Sequence, residues 1–116
     1  MSSSSVSAAD RRQGQRRALR QAAELVLAGN RVLPVRIHDV SLGGMSVIVP
    51  VNLPAQTIVR VRTLLPLKPA GRLPAELPCT VQYSVLSSAG GGFQVGMHFG
   101  ALPEAVRAAI AAHVNS

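Results

Sequence analysis

Arginines are concentrated in residues 11–20, RRQGQRRALR, which hold five arginines and no lysine. The planar guanidinium of arginine donates parallel hydrogen bonds to a phosphate and stacks on flat rings, whereas the lysine ammonium acts as a compact point charge. An all-arginine segment therefore suits a ligand that carries both phosphates and flat bases. Judged by charge alone, the same segment is more typical of a solvated basic arm.

A second polar motif, DVSLGG, occupies residues 39–44. In an extended segment, Asp39 and Ser41 are two residues apart and would point to the same face. A carboxylate can accept hydrogen bonds from the N1–H and N2 amino group of guanine, and a hydroxyl can add one more. Gly44 permits an unusual backbone angle or a close ligand approach. Taken alone, this motif is more typical of an ordinary turn.

Other chemistry is poorly represented in the sequence. The three histidines lie in different segments without metal-ligand spacing, and the five acidic residues are scattered. Cys79 is the only cysteine, so we expect a small buried hydrophobic residue and no intramolecular disulfide. The glycine runs match no phosphate-binding or dinucleotide-binding loop. We therefore predict a protein that is not an enzyme and that has no catalytic residues, metal or cofactor.

The composition indicates how these motifs are supported. A chain of 116 residues fits one domain, and 47% hydrophobic with only 3% aromatic residues predicts an aliphatic core. The net charge of +7 favours an anionic partner. Residues 1–9 are polar and rich in serine, which predicts a disordered tail without the features of a signal peptide. With no apolar run long enough to span a membrane, we expect a cytoplasmic protein.

The first two elements are predicted to form a β-hairpin. Residues 31–40, RVLPVRIHDV, alternate so that Leu33, Val35, Ile37 and Asp39 share one mostly apolar side. The preceding segment, ALRQAAELVLA, has helical propensity, but the Gly-Asn pair after it also suits a hairpin turn. We favour the hairpin because the alternating strand needs a neighbour.

The rest of the chain predicts further strands and one helix. The strand segments are MSVIVPV, TIVRVRTLLPL, CTVQYSVLS and FQVGMHFG, and the proline-rich KPAGRLPAELP is predicted to be a loop. In the last segment, residues 103–115, Pro103 and Glu104 suit a first helical turn, and Val106, Ile110 and Val114 form one apolar stripe. This pattern predicts an all-β barrel or sandwich with a C-terminal helix.

The two polar motifs, taken together, resemble those of the PilZ domain family. Arg12 and Arg16 form Arg-x-x-x-Arg, and Asp39 begins Asp-x-Ser-x-x-Gly after a further 23 residues. The doubled arginine, the GGMSV that follows and the FQVGMHFG strand fit the same family. The resemblance implies a mainly β fold, a small six-stranded antiparallel barrel with a C-terminal α-helix. One domain would then cover residues 10–116, with a flexible arm at 10–20, a barrel at about 21–100 and a helix at about 103–115.

The resemblance also implies a function, because PilZ domains are receptors for the bacterial second messenger cyclic di-GMP. In the family, the two arginines lie on a loop that closes over the ligand, bind its phosphates and stack on guanine. The Asp and Ser contact guanine from the barrel surface, the Gly shapes the turn, and a basic residue before the first motif accompanies a stacked ligand dimer. The implied ligand-binding residues are Arg11, Arg12, Arg16, Asp39, Ser41 and Gly44. Arg17 and Arg20 have no motif position and are predicted to be surface charge.

A lone domain of this kind would signal through a partner protein, in processes such as motility or biofilm regulation. Two other functions stay open on the sequence alone. One is a nucleic-acid-binding basic β-barrel, although one Tyr and two Phe are few for base stacking. The other is a PilZ-like adaptor that docks proteins without a ligand, which the presence of both motifs disfavours.

Overall fold

Six antiparallel strands close into a β-barrel, followed by one helix. The computed structural model describes residues 15–87 and 91–116. The neighbour order around the barrel is β1-β2-β3-β6-β5-β4. This confirms the predicted six-stranded antiparallel barrel with its C-terminal helix. The elements are β1 (Arg17–Val26), β2 (Val32–Val40), β3 (Gly44–Val49), β4 (Ile58–Pro66), β5 (Arg72–Leu86), β6 (Phe93–Phe99) and α1 (Glu104–Val114).

The barrel interior is aliphatic, as the composition predicts. Alternate strand residues point inward, and several have no solvent exposure: Leu25, Met45, Val47, Val49, Val61, Leu77, Val81 and Val95. Helix α1 adds the predicted stripe of Val106, Ile110 and Val114 and packs against β4 and β5. Its last turn is also tied to β1, because Nε2 of His113 lies 2.9 Å from the carbonyl oxygen of Ala18.

The predicted β1–β2 hairpin is confirmed, and its first strand begins one residue before the predicted segment. The strands are joined by a short 3-10 turn in which Gly29 and Asn30 both have positive φ angles, of 76° and 61°. Pairing with β2 begins at Arg17, so the predicted barrel boundary near residue 21 is corrected. Leu19 is buried, and this inward contact extends the strand toward the N-terminus. Residues 17–20, assigned above to the arm, therefore belong to the barrel.

A β-bulge at His38 corrects the predicted orientation of Asp39. Simple alternation placed Asp39 beside Ile37 on the apolar side. In the structure the β2–β3 register shifts between these two residues, so that Asp39 pairs with Ser46 and Val40 takes the inward position. A bulge re-aims the side chains that follow it. The shift buries a valine and leaves the carboxylate outside, which avoids the cost of an unpaired charge in the core.

The proline-rich segment predicted as a loop is mostly strand. Only residues 67–71 form a turn, closed by a hydrogen bond of 3.0 Å from Leu67 N to the Gly71 carbonyl, and β5 begins at Arg72. The sequence was misleading because prolines usually interrupt strands. Here Pro74 and Pro78 lie in the first half of β5, which pairs with β4 while β6 joins only from Cys79. Strands with one free side tolerate proline.

The β5–β6 hairpin has charged residues only at the start of β5, at Arg72 and Glu76. Residues 77–103 contain no Lys, Arg, Asp or Glu, whereas β1, β2 and β4 all carry arginine. A second bulge, between Val81 and Tyr83, shifts the register with β6 so that Tyr83 pairs with Gly96. Tyr83 and Val85 are about half exposed on the outer side of this hairpin.

Candidate ligand-binding site

Asp39 lies at the centre of the candidate site, where β2 ends. Nε of Arg16 donates a hydrogen bond of 2.7 Å to Oδ1 of Asp39, and Nδ1 of His38 lies 3.1 Å from Oδ2. The side chain of Asp39 is 19% exposed and that of Arg16 is 44% exposed. The two sequence motifs are thus in direct contact at a solvent-accessible position.

Strand pairing explains this contact. Arg17 pairs with Val40 and Ala18 pairs with Asp39, so Arg16 enters β1 beside the end of β2. The bulge at His38 then turns the Asp39 carboxylate toward the outer surface. A guanidinium carries several N–H donors, and the bond to Asp39 uses the one on Nε. Arg16 therefore retains donors for an anion placed beside Asp39.

Ser41 belongs to the turn that follows β2. Its backbone N donates a bond of 2.8 Å to the Gly44 carbonyl, and its hydroxyl lies 3.2 Å from both the N and the O of Gly44. Ser41 is only 3% exposed. Its hydroxyl therefore holds the turn, in contrast to the carboxylate of Asp39, and its contact with guanine stays a prediction.

Gly44 is required by the packing of β3 on β6. It pairs with His98, and a Cβ at this position would collide with the carbonyl oxygen of Met97. The neighbouring Gly43 has open space around the same position. Gly44 is therefore the glycine of this motif that lets β3 lie close to β6 and fixes the turn after Asp39.

Comparison with known proteins assigns the chain to a family. A model of the PilZ domain matches residues 10–116. The chain belongs to the PilZ domain family. PilZ domains are binding and adaptor domains, with cyclic di-GMP as the ligand. A search of curated protein sequences finds no match to this chain.

A solved structure shares the fold of this PilZ domain. The Bacillus subtilis inhibitor of motility MotI/DgrA superposes with a TM-score of 0.75 over 86% of this chain, at 11% sequence identity. The chain spans about half the length of that protein, covering 47% of it. The likeness at this identity concerns the fold.

The PilZ arginine motif is only partly described by the structure. Arg16 is in contact with Asp39, whereas Arg11 and Arg12 lie outside the described residues. Arg17 and Arg20 are exposed residues of β1, in keeping with their prediction as surface charge. His38 is a neighbour of Asp39 that sequence reasoning missed. Its proximity to the carboxylate depends on the bulge, which no residue spacing indicated.

A second concave region of the PilZ barrel lies between β1 and the β4–β5 pair. Its lining residues are Gln21, Ala22, Ala23, Glu24, Arg62, Thr63, Leu64, Arg72, Pro74, Ala75 and Glu76. It shares no residue with the Asp39 site. Its charges are partly compensated, because Arg62 lies within 4 Å of both Glu24, at 3.7 Å, and Glu76, at 3.8 Å. This compensation makes the cleft less suited to an anionic ligand than the Asp39 site.

Within residues 15–87 and 91–116, no group of three His, Cys, Asp or Glu side chains is arranged to hold a metal ion. The same residues include no helix long and apolar enough to cross a membrane.

Proposed function

We propose that this PilZ domain is a cyclic di-GMP receptor that signals to a partner protein. The observation that carries the proposal is the contact between Arg16 and Asp39. It places a guanidinium, which can bind phosphate, beside a carboxylate, which can bind guanine. Cyclic di-GMP carries two phosphates and two guanines. A guanidinium beside a carboxylate is the pair of groups that can bind both parts of one nucleotide.

The Arg16–Asp39 ion pair gives the site a simple exchange mechanism. In this contact each group satisfies part of the other's hydrogen-bonding capacity. Exposed ion pairs contribute only about 0–1 kcal/mol, so this contact can rearrange at little cost. Asp39 would then accept from the N1–H and N2 amino group of guanine, while Arg16 turns to a phosphate and stacks on the base.

The arm supplies the moving part of the proposed mechanism. Residues 10–16, which include Arg11 and Arg12, would fold over the ligand while β1 stays paired with β2. Ordering a residue costs about 1–2 kcal/mol, which charge-assisted hydrogen bonds and stacking must offset. The closed arm and the ligand would form a new surface for the partner protein.

Calorimetric titration at physiological salt tests the ligand. We expect saturable heat with cyclic di-GMP, and much weaker binding of GTP and cyclic di-AMP, because Asp39 pairs with the guanine edge and the arginines require both phosphates. The absence of binding to cyclic di-GMP, or equal binding of cyclic di-AMP, would overturn the proposal. The same titration tests stoichiometry: Arg11 predicts two ligands per chain, as a stacked dimer, and one ligand per chain contradicts this.

Hydrogen exchange with and without cyclic di-GMP tests the arm. We expect new protection of residues 10–16 in the complex. Residues 17–26 are the internal reference, because β1 already pairs with β2 from Arg17 onward and should change little. Unchanged exchange in residues 10–16 with ligand bound would exclude closure of the arm.

A further inference from the structure

The cleft between β1 and the β4–β5 pair lies at the shortest backbone ladder of the barrel. Pairing of β1 with β4 is confined to residues 24–26 and 60–62. β1 nevertheless begins at Arg17, and β4 continues to Pro66. The two strands therefore extend beyond their ladder, and the cleft opens where the backbone pairing has ended.

Side chains close this seam in place of a backbone ladder. Nε2 of Gln21 donates hydrogen bonds of 2.6 Å to Oγ1 of Thr63 and of 2.8 Å to the Leu64 carbonyl. The Thr63 hydroxyl in turn donates a bond of 3.3 Å to the Ala22 carbonyl. Two backbone carbonyls at the seam are thus bound by side chains, and peptide N–H groups could replace these bonds without disrupting the ladder.

The floor of the cleft is apolar. Leu64 of β4 is 45% exposed and pairs with Pro74 of β5, which is also exposed. Ala22, an exposed residue of β1, lines the opposite side. The cleft has a volume of about 780 Å³, within the range of about 300–1,000 Å³ that is typical of ligand pockets. It is large enough to accept apolar side chains of another molecule.

The charges around this floor are unevenly compensated. The ion pairs of Arg62 with two glutamates occupy one margin of the cleft. Arg36 of β2, which pairs with Ala22, and Arg72, which lines the cleft on β5, are both exposed at other margins. In the described part of the chain, neither of these two arginines has a carboxylate within 4.0 Å. The cleft therefore combines an apolar floor with two uncompensated arginines.

We propose that this cleft is the docking surface for an extended, acidic segment of the partner protein. This inference rests on the proposed function, in which the receptor signals to a partner. Leu64 and Pro74 would contact an apolar side chain of that segment, while Arg36 and Arg72 would bind its carboxylates. An extended backbone suits the seam because peptide groups pair along strand edges. The net charge of +7 favours an acidic partner.

Strand β1 connects this docking surface to the ligand site. Ala18 pairs with Asp39 on one edge of β1, whereas residues 21–24 line the cleft on the edge that faces β4. The two sites thus use opposite edges of one strand and share no residue. The acidic segment can therefore dock in the cleft while cyclic di-GMP is bound at Asp39.

NMR titration of the full chain with a synthetic peptide tests the docking surface. The test peptide is capped at both ends and alternates valine with glutamate, and the control peptide alternates valine with lysine. We expect the acidic peptide to shift the amide signals of residues 21–24 and 62–64, and the lysine peptide to leave them unchanged. Absence of these shifts, or equal shifts with the lysine peptide, would overturn the inference. So would tighter binding at the same residues by a single-stranded oligonucleotide or by phosphatidylglycerol vesicles.

Matched variants test the residues of the cleft. Arg72→Glu reverses a charge at the cleft, and Arg107→Glu reverses that of an exposed arginine on α1. Leu64→Ser removes the apolar floor, and Ile58→Ser alters an exposed residue of the same strand outside the cleft. We expect each cleft variant to weaken binding of the acidic peptide about tenfold and each control by no more than about twofold. With thermal melts showing folded variants, equal affinities of the cleft variants and their controls would contradict the assignment.

Titration of the same samples with cyclic di-GMP separates this inference from the proposed function. The cleft variants should bind cyclic di-GMP as the wild type does, because the cleft shares no residue with the Asp39 site. Normal binding of cyclic di-GMP without docking of the acidic peptide overturns the inference and leaves the proposed function intact. Docking of the peptide by a wild type that does not bind cyclic di-GMP supports the docking surface, and the proposed function fails.

Discussion

At the scale of single residues, Arg16 and Asp39 have the side chains on which the proposed recognition of cyclic di-GMP depends. Arg16 is partly exposed and precedes the first residue of β1, so its removal should leave the fold intact. We expect Arg16→Ala to weaken cyclic di-GMP binding at least about tenfold, since charge-assisted hydrogen bonds contribute about 1.5–3 kcal/mol. Arg17→Ala, at the next exposed arginine, is the matched control. Equal affinities of the two variants in calorimetry would contradict the assignment of Arg16.

Asp39 determines the base in the proposed complex. Guanine presents hydrogen-bond donors at N1 and N2. A carboxylate accepts hydrogen bonds from both donors, whereas the amino group of an amide is itself a donor and cannot accept from either. We expect Asp39→Asn to reduce the preference for cyclic di-GMP over cyclic di-AMP, measured as the ratio of the two dissociation constants. A ratio unchanged from that of the wild type would show that Asp39 does not contact the base.

Cys79 is a buried thiol whose titration affects the stability of the protein. Burial raises the pKa of Cys79 from 9.0 to about 12. The folded state therefore holds the thiol proton more tightly than the unfolded chain, and this stabilisation is present below pH 9.0 and lost as the pH rises toward 12. In urea unfolding, we expect the wild type to lose stability relative to Cys79→Ala above pH 9.0. A constant difference between the two across this range would contradict the raised pKa.

At the scale of elements, the turn between β2 and β3 depends on Gly44. A Cβ added at this position would meet backbone atoms of β6, which cannot move aside as a flexible side chain can. We expect Gly44→Ala to lower the free energy of unfolding by about 1–3 kcal/mol. Gly43→Ala, with open space around the added Cβ, should change stability by no more than about 0.5 kcal/mol. Similar unfolding midpoints in urea would contradict the proposed contact with β6.

The elements also show what the sequence could and could not predict. Alternation identified β2 and β4, because a half-buried strand must place apolar side chains on one face. It failed at Asp39, because the bulge depends on the register between β2 and β3, which is a tertiary property. The loop prediction at Pro74 and Pro78 failed for a related reason. Local propensity cannot reveal that this part of β5 has only one neighbouring strand.

The candidate site was predictable to a similar extent. The motif spacing assigned Arg16 and Asp39 to one site, and their side chains are in contact in the structure. It gave no reason to expect that the Ser41 hydroxyl would be engaged in the turn or that His38 would adjoin the carboxylate.

At the scale of the whole molecule, the uneven distribution of charge affects how an anion binds. The net charge is +7, yet residues 77–103 contribute no Lys, Arg, Asp or Glu. We expect cyclic di-GMP affinity to fall by no more than about tenfold between about 50 and 200 mM salt, because the ligand has only two phosphates. A fall of about a thousandfold, or tighter binding of single-stranded nucleic acid, would indicate a polyanion site.

Arg16 enters the barrel directly, as the residue before β1, and this geometry has a consequence for Arg12. Four residues of chain span at most about 14 Å, so Arg12 cannot move further than this from Arg16. Such a short tether gives Arg12 an effective concentration in the millimolar range at the Asp39 site. A ligand bound by Arg16 would therefore contact Arg12 in an intramolecular step. Each residue inserted between Arg12 and Arg16 should lower the effective concentration of Arg12 at the site.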